Sequence, residues 1–301
     1  MSMGFASIVA LSVAASAMAQ VPTTTNYPPP IQGMPRPVPT PITAGPPASM
    51  QWLYGSGEAA AASMAAYNAL RDYVILTARN RPRGSVVVAP GSTLPHPSFV
   101  SCGRKPLAVV LDVDETALLN LGYEYDQAAK NRGYDAKRWS DWERTGVGAV
   151  APVPGAAKAL GAIRAAGVKV IFNTNRTAEN AAYAELALDA AGLGPARHLK
   201  ELFLEGDAPG GSAKDARRAL IASRYCVVAM AGDQLGDFTD LFNSKGLPIF
   251  GRRETAMAGR IAQMWGNGWF VLPNPVYGTG VRGSFDDVFP FKRWSDPAGG
   301  Q

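Results

Sequence analysis

The sequence predicts an α/β protein: a three-layer parallel sheet with helices on both faces, plus a small N-terminal helical and insert lobe. Three observations lead there. Between Leu107 and Leu272, short apolar runs alternate with helical patterns, which is the mark of βαβ units. The run Leu107-Ala108-Val109-Val110-Leu111 is apolar throughout, as a strand covered on both faces is. Polar residues able to do chemistry follow several of these runs directly, at the edge where open α/β sheets place their sites.

Length and composition agree with this class. The chain has 301 residues, 47% of them hydrophobic, enough to bury the core of one large domain or of a domain plus a lobe. The net charge of +5 is spread over 18% charged residues of both signs. There is no basic block and no basic–aromatic interleaving, which argues against dedicated nucleic-acid binding. The mild positive balance favours anionic substrates.

Taken in order, the chain opens with Phe5 to Val13, an apolar stretch too short to span a bilayer, followed by Ala17-Met18-Ala19. Residues 1–19 are therefore expected to be a signal peptide cleaved after Ala19, delivering a periplasmic or secreted protein. No cysteine stands at the cleavage point, so no lipid anchor is expected there, and no later stretch suits a transmembrane helix. Gln20 to Met50 holds ten of the 24 prolines and one charged side chain, Arg36, and is expected to be an extended tether. Residues 51–295 form the expected folded domain, with a helical lobe over 51–106 and an insert over 117–153; 296–301 is a flexible tail.

Within the domain, Ser56 to Leu76 reads as a helix with Met64, Tyr67, Leu70 and Val74 at helical spacing. Arg79 to Pro106, broken by Pro and Gly, reads as irregular. After the first buried strand comes a non-periodic insert, Leu119 to Val153, with Tyr123, Tyr125, Tyr134, Trp139 and Trp142. Pro154 to Ala166 is a predicted helix, with Pro in its first turn and Gly167 past its end. Val168 to Phe172 is a strand, Ala178 to Ala191 a helix and Leu199 to Leu204 a strand. Ser212 is expected to cap a helix running to Ser223. Tyr225 to Ala231 is another buried strand. Short strands near Pro248 and at Trp269 to Leu272 flank a helix from Glu254 to Met264.

The chemistry centres on Asp112-Val113-Asp114-Glu115-Thr116. Alternate residues of an extended backbone face the same way, so Asp112 and Asp114 can converge beyond the strand. Two carboxylates losing hydration together are costly unless a cation neutralises them, and hard divalent ions favour such oxygen donors. Asp112, Thr174 and Asp233 each follow a separate predicted strand, and Lys214 lies near a helix start, so four polar groups share one edge. That set suits phosphoryl transfer, which needs charge neutralisation and positioning more than covalent chemistry. Asp112 is the candidate nucleophile and Asp114 the acid/base that protonates the leaving oxygen and then activates water. Thr174 and Lys214 would meet the phosphoryl oxygens. Asp233 would complete a metal shell, with Asp237 holding metal-bound waters.

Absences sharpen the reading. His96 and His198 are the only histidines, and neither is near a motif, which disfavours a His nucleophile or a His-rich metal site. There is no P-loop and no Gly-x-Ser-x-Gly elbow. The two cysteines, Cys102 and Cys226, can form one disulfide, or one can be a buried hydrophobe and the other a free loop thiol.

Asp-x-Asp-x-Thr at Asp112, Asn-Thr-Asn-Arg at Asn173, Ser-Ala-Lys at Ser212 and Gly-Asp-x-x-x-Asp at Gly232 resemble the four motifs of haloacid-dehalogenase (HAD) superfamily phosphatases. More narrowly, the chain is similar to the bacterial class C acid phosphatases of the lipoprotein-e, 5'-nucleotidase type. Ala66-Tyr67-Asn68, Trp139-x-x-Trp142 before Pro154-Gly155-Ala156, and Leu272-Pro273-Asn274-Pro275-x-Tyr277-Gly278 carry that likeness, which covers roughly 51–280. The resemblance implies a Rossmann-like, HAD-type sheet and a Mg²⁺-dependent phosphomonoesterase, one ion per site, often acting on nucleoside monophosphates in the envelope. It implies that the Asp114 backbone carbonyl joins Asp112 and Asp233 as a metal ligand, and that Asn175 binds phosphate beside Thr174 and Lys214. Trp139, Trp142, Arg176 and Tyr277 match positions on the substrate side. In such a sheet the strands before Asp112 and Asp233 are neighbours, which would make a Cys102–Cys226 bridge geometrically possible. The sequence departs from the family in lacking its lipobox Cys, in Leu119 where Asp is common, and in Thr-Gly after Tyr277-Gly278. The alternatives are a phosphotransferase of the same fold and a non-catalytic envelope binding protein; oligomeric state has no signature.

Overall fold

The structure, a computed structural model, describes residues 45–291 and 293–295. The expected signal peptide, most of the tether and the tail after Ser295 lie outside the described residues. The tether was expected to reach residue 50, but a helix, α1 (Ala48–Gly55), begins just after Pro47. Proline suits the position before a helix, where its missing N–H has no partner to lose.

α2 (Gly57–Asn80) follows, capped by Ser56 Oγ, which accepts from Ala59 N at 3.0 Å. The stretch expected to be irregular contains an antiparallel hairpin, β1 (Gly84–Val88) and β2 (Phe99–Ser101). Val86, Val87 and Val88 supply the β-branched run that Pro and Gly punctuation around them obscured. The central strand β3 (Leu107–Leu111) leads into the insert. The insert is built from β4 (Leu118–Leu119), α3 (Leu121–Ala129), α4 (Ala136–Thr145) and β5 (Ala151–Pro152).

Then the chain alternates: α5 (Ala156–Ala165), β6 (Lys169–Thr177), α6 (Ala181–Ala190), β7 (Leu202–Glu205), α7 (Asp215–Arg224) and β8 (Cys226–Gly232). Two predictions fail after this. No strand forms near Pro248, which instead precedes α8 (Ile249–Ala256). The single helix expected over 254–264 is two pieces, because after α8 the chain turns at Gly259 (φ +53°) into the short α9 (Gly259–Ala262). β9 (Trp269–Val271) and a last short helix, α10 (Phe285–Val288), complete the chain.

The five main strands are parallel in the order β7-β6-β3-β8-β9, a switch in direction of winding about β3. Alternate residues of β3 serve opposite faces. Val109 and Leu111 join Tyr67, Leu70 and Val74 of α2 and Leu160 and Ile163 of α5 in one core. Ala108 and Val110 join Val86 of the hairpin, Ile221 of α7 and Trp269 in the other. This is the expected three-layer arrangement, with Asp112 held just past the centre of the sheet. Gly155 (φ +91°) starts α5; a Cβ there would lie 3.2 Å from Met64 Cα and Tyr67 Cβ, so glycine lets α5 approach α2.

A disulfide joins Cys102 to Cys226 across 124 residues, with Cα atoms 4.6 Å apart. It pins the hairpin to the start of β8, beside the Ser85 hydroxyl that donates to Val227 O at 2.9 Å. Among the described residues no helix is long and apolar enough to cross a membrane.

Candidate active site

β3 and β8 end side by side, Leu111 opposite Ala231, and so deliver Asp112 and Asp233 to one place. Asp112, Asp233 and Asp237 each present a carboxylate oxygen within 4.8 Å of the others. Asp237 reaches this cluster because residue 232 is glycine: a Cβ there would collide with the Asp237 side chain. Asp233 is held by three donors, Thr116 Oγ1 at 2.9 Å to Oδ1, and Gln234 Nε2 at 2.9 Å and Asn274 Nδ2 at 2.8 Å to Oδ2. Lys214 Nζ lies between Asp112 Oδ1 at 2.5 Å and Asp237 Oδ1 at 2.6 Å, and only 6% of the residue is exposed.

Ser212 does not cap α7 as expected. Lys214 itself is the N-cap residue, and the Asp240 carboxylate accepts from Lys214 N at 2.9 Å and Asp215 N at 2.6 Å. A half-buried carboxylate from another segment thus does the capping, and it fixes the backbone that aims Lys214.

The electrostatics follow from burial. Desolvation pushes the Asp233 carboxyl up to about 6, with Asp237 adding to the rise. Desolvation also raises Asp112 well above the carboxylate range; Lys214 opposes that, and Asp237, Asp233 and Asp114 reinforce it. Burial alone would lower Lys214, but the Asp112 and Asp237 carboxylates outweigh it and keep the ammonium charged. With all three carboxyls ionised against one ammonium, the cluster would carry two negative charges in excess, a state that burial opposes unless a cation joins it. An all-oxygen donor set with that surplus fits one hard divalent cation.

Asp114 has a different setting. Its carboxylate is paired with Arg176, at 2.8 Å from Nη2 and 3.0 Å from Nε to Oδ1, and Asn120 Nδ2 donates to the same oxygen at 2.9 Å. Thr174 Oγ1 donates to Oδ2 at 3.3 Å.

A cavity of about 770 Å³ opens over these groups. Asp112, Asp114, Trp139, Asn175, Lys214, Asp233, Asp237 and Tyr277 line it, so eight of the sequence-predicted residues come together. Thr174 is fully buried behind Asp114 rather than on the wall. Arg176 was expected to contact substrate, but at 2% exposure it lies behind Asp114, its guanidinium also 5.9 Å from the Trp139 ring centre. Trp142 likewise faces inward, its Nε1 donating to Asn120 Oδ1 at 3.4 Å. In sequence, an arginine after a strand end looks like a phosphate or substrate ligand; only the fold shows which carboxylate takes it.

Sequence reasoning missed Asn120 and Glu115. Glu115 was visible inside the Asp112 motif but had no role. Tyr123 packs edge-on to Trp139 with ring centres 4.9 Å apart, and it too lines the cavity.

A buried aspartate and lysine on the carboxyl edge of a parallel sheet, beside a cluster of oxygen donors able to hold a cation, fit a phosphoryl-transfer protein of the HAD type. Comparison with known proteins makes the assignment narrower. Residues 64–280 match a family described as HAD superfamily, subfamily IIIB (Acid phosphatase), and the chain belongs to that family. It is a phosphoric monoester hydrolase. Among solved structures, it resembles the class C acid phosphatase from Bacillus anthracis with tungstate bound (TM-score 0.62, 21% identity, 83% of this chain and 90% of that one). A second structure of the class C acid phosphatase from Bacillus anthracis gives TM-score 0.62 at 22% identity, over 81% of this chain and 89% of that one.

Proposed function

We propose that this chain is an exported, Mg²⁺-dependent phosphomonoesterase that works through an aspartyl-phosphate on Asp112 and accepts nucleoside monophosphates. The observation that carries the reading is the convergence of Asp112, Asp233 and Asp237 around Lys214 beneath an open cavity.

Asp112 attacks phosphorus, the ester P–O bond breaks, and Asp114 gives its proton to the departing oxygen. Asp114 then takes a proton from water as that water attacks the acyl-phosphate, freeing Asp112 and inorganic phosphate. Lys214 offsets charge on the phosphoryl oxygens. The Asn175 amide at the wall would receive those oxygens, while the buried Thr174 hydroxyl supports Asp114 from behind. Mg²⁺, held by Asp112, Asp233 and the Asp114 backbone carbonyl, would neutralise the transferring group, with Asp237 orienting its waters.

Phosphate release from a phosphomonoester panel should stop in EDTA and return with added Mg²⁺. Full activity in chelator would overturn the metal-dependent mechanism. The nucleotide reading rests on the Trp139 and Tyr277 rings on one cavity wall system, where a base can stack for roughly 1–3 kcal/mol. Trp139→Ala should raise KM for nucleoside monophosphates by about 5- to 150-fold at that energy and leave glycerol phosphate nearly unchanged. Equal losses on both would make the ring a support of the fold.

A further inference from the structure

Glu115 is 1% exposed and its backbone is left-handed (φ +54°), a conformation that side-chain-bearing residues adopt at a cost. Its carboxylate receives donors from three separate parts of the chain. Tyr54 Oη, from α1, donates to Oε1 at 3.3 Å. Asn120 N donates to Oε1 at 2.9 Å, and Asn120 Nδ2 reaches Oε2 at 3.1 Å. Tyr277 Oη, from the turn after β9, donates to Oε2. No cation pairs directly with it among the described residues, and the donors are all neutral.

Asn120 carries this arrangement onward. The residue is fully buried. Its amide nitrogen bridges Glu115 and Asp114 Oδ1, while its oxygen accepts from Arg176 Nη2 at 2.9 Å and from Trp142 Nε1. Asp114 Oδ1 is consequently filled by Asn120 and two bonds from Arg176. Oδ2 has only the longer contacts, 3.3 Å from Thr174 Oγ1 and 3.4 Å from Arg176 Nε. It is the oxygen with room to hold and hand over a proton.

We propose that Glu115 is a positioning residue for the reaction: through Asn120 it fixes which oxygen of Asp114 faces the leaving group, and through Tyr277 it ties that carboxylate to the cavity wall. The inference rests on the phosphatase reading with Asp114 as acid. A carboxyl group buried among neutral donors is costly to ionise and costly to leave unpaired, and a strained backbone adds to the cost. Packing alone would be served by an apolar side chain. The feature that an apolar residue could not reproduce is the simultaneous orientation of Asn120 and Tyr277.

The test compares two esters with the same two-carbon skeleton whose leaving alcohols differ in acidity, ethyl phosphate and 2,2,2-trifluoroethyl phosphate, each referred to the wild type on the same ester. kcat/KM reports steps up to departure of the alcohol, and only the more basic alcohol depends strongly on a well-placed proton. Glu115→Gln should lower kcat/KM about 10-fold on ethyl phosphate, a fraction of the 10²–10⁴ that general acid catalysis supplies. On trifluoroethyl phosphate the loss should be under about threefold. Tyr277→Phe keeps the ring and removes one donor; it should shift the same ratio in the same direction by a smaller factor, and it serves where Glu115→Gln does not fold. Equal losses on both esters, or none, would overturn the inference and leave Glu115 a structural residue. A wild-type protein inactive on both esters would instead bring down the phosphatase reading beneath it.

Discussion

At the residue scale, function depends on how burial treats individual carboxylates. Asp112, Asp114, Asp233 and Asp237 were legible in the sequence because aspartates recurred after buried runs. Glu115 and Asn120 were not, since no spacing rule distinguishes a buried polar hub from a solvated turn residue. The same burial makes a pH prediction. Desolvation pushes Glu115 up to about 8 from 4.5, with Asp114 adding to it, and Asp233 up to about 6 from 3.8. Both are raised, so their contribution to stability is fully present below the unfolded values and is lost as pH rises through the folded ones. The metal-free protein should therefore melt at lower temperature as pH goes from about 4 to about 8. Mg²⁺ should flatten the alkaline part of that curve by neutralising the cluster that includes Asp233. Thermal melts in EDTA across this range provide the check, and a midpoint that rises with pH would contradict the assignment.

At the element scale, strands buried on both faces were the most legible features. β3 was expected over Leu107 to Leu111 and is found there, because a continuous apolar run has no alternative partner but two covering layers. The hairpin was hidden because its strands are short and separated by Pro- and Gly-rich chain, and they form only by covering β8. The helices of the insert were hidden because their faces are mixed: α4 turns Trp139 to the cavity and Trp142 inward to Asn120. The disulfide joins the hairpin to β8 and should persist in the mature protein. With export, intact mass should correspond to a chain starting at Gln20, with no thiol alkylated until reductant is added. Two alkylations without reductant would exclude the bridge, and retained residues 1–19 would exclude cleavage. Closing a loop of this length stabilises by about 4–5 kcal/mol in the chain-entropy account, so reduction should cost stability of that order.

At the scale of the whole molecule, a parallel sheet gathers residues distant in sequence at one edge. Asp112 and Asp233 follow β3 and β8, Thr174 lies within β6 rather than after it as expected, and Lys214 stands between β7 and α7; the strand order β7-β6-β3-β8 makes them neighbours. Motif reading could name these residues because the edge of an open α/β sheet is a topological fact. It could not tell that Arg176 stands behind Asp114, since that depends on side-chain direction within the packed insert. In the proposed reaction Asp112 is the nucleophile on which the whole arrangement converges. Acid-quenching the protein during turnover of a phosphomonoester and mapping the phosphoryl group by mass spectrometry tests it most directly. A hydroxylamine-labile phosphoryl adduct on the peptide carrying Asp112, absent from Asp112→Asn, is the predicted result; turnover by Asp112→Asn at the wild-type rate, or an adduct on another residue, would contradict it.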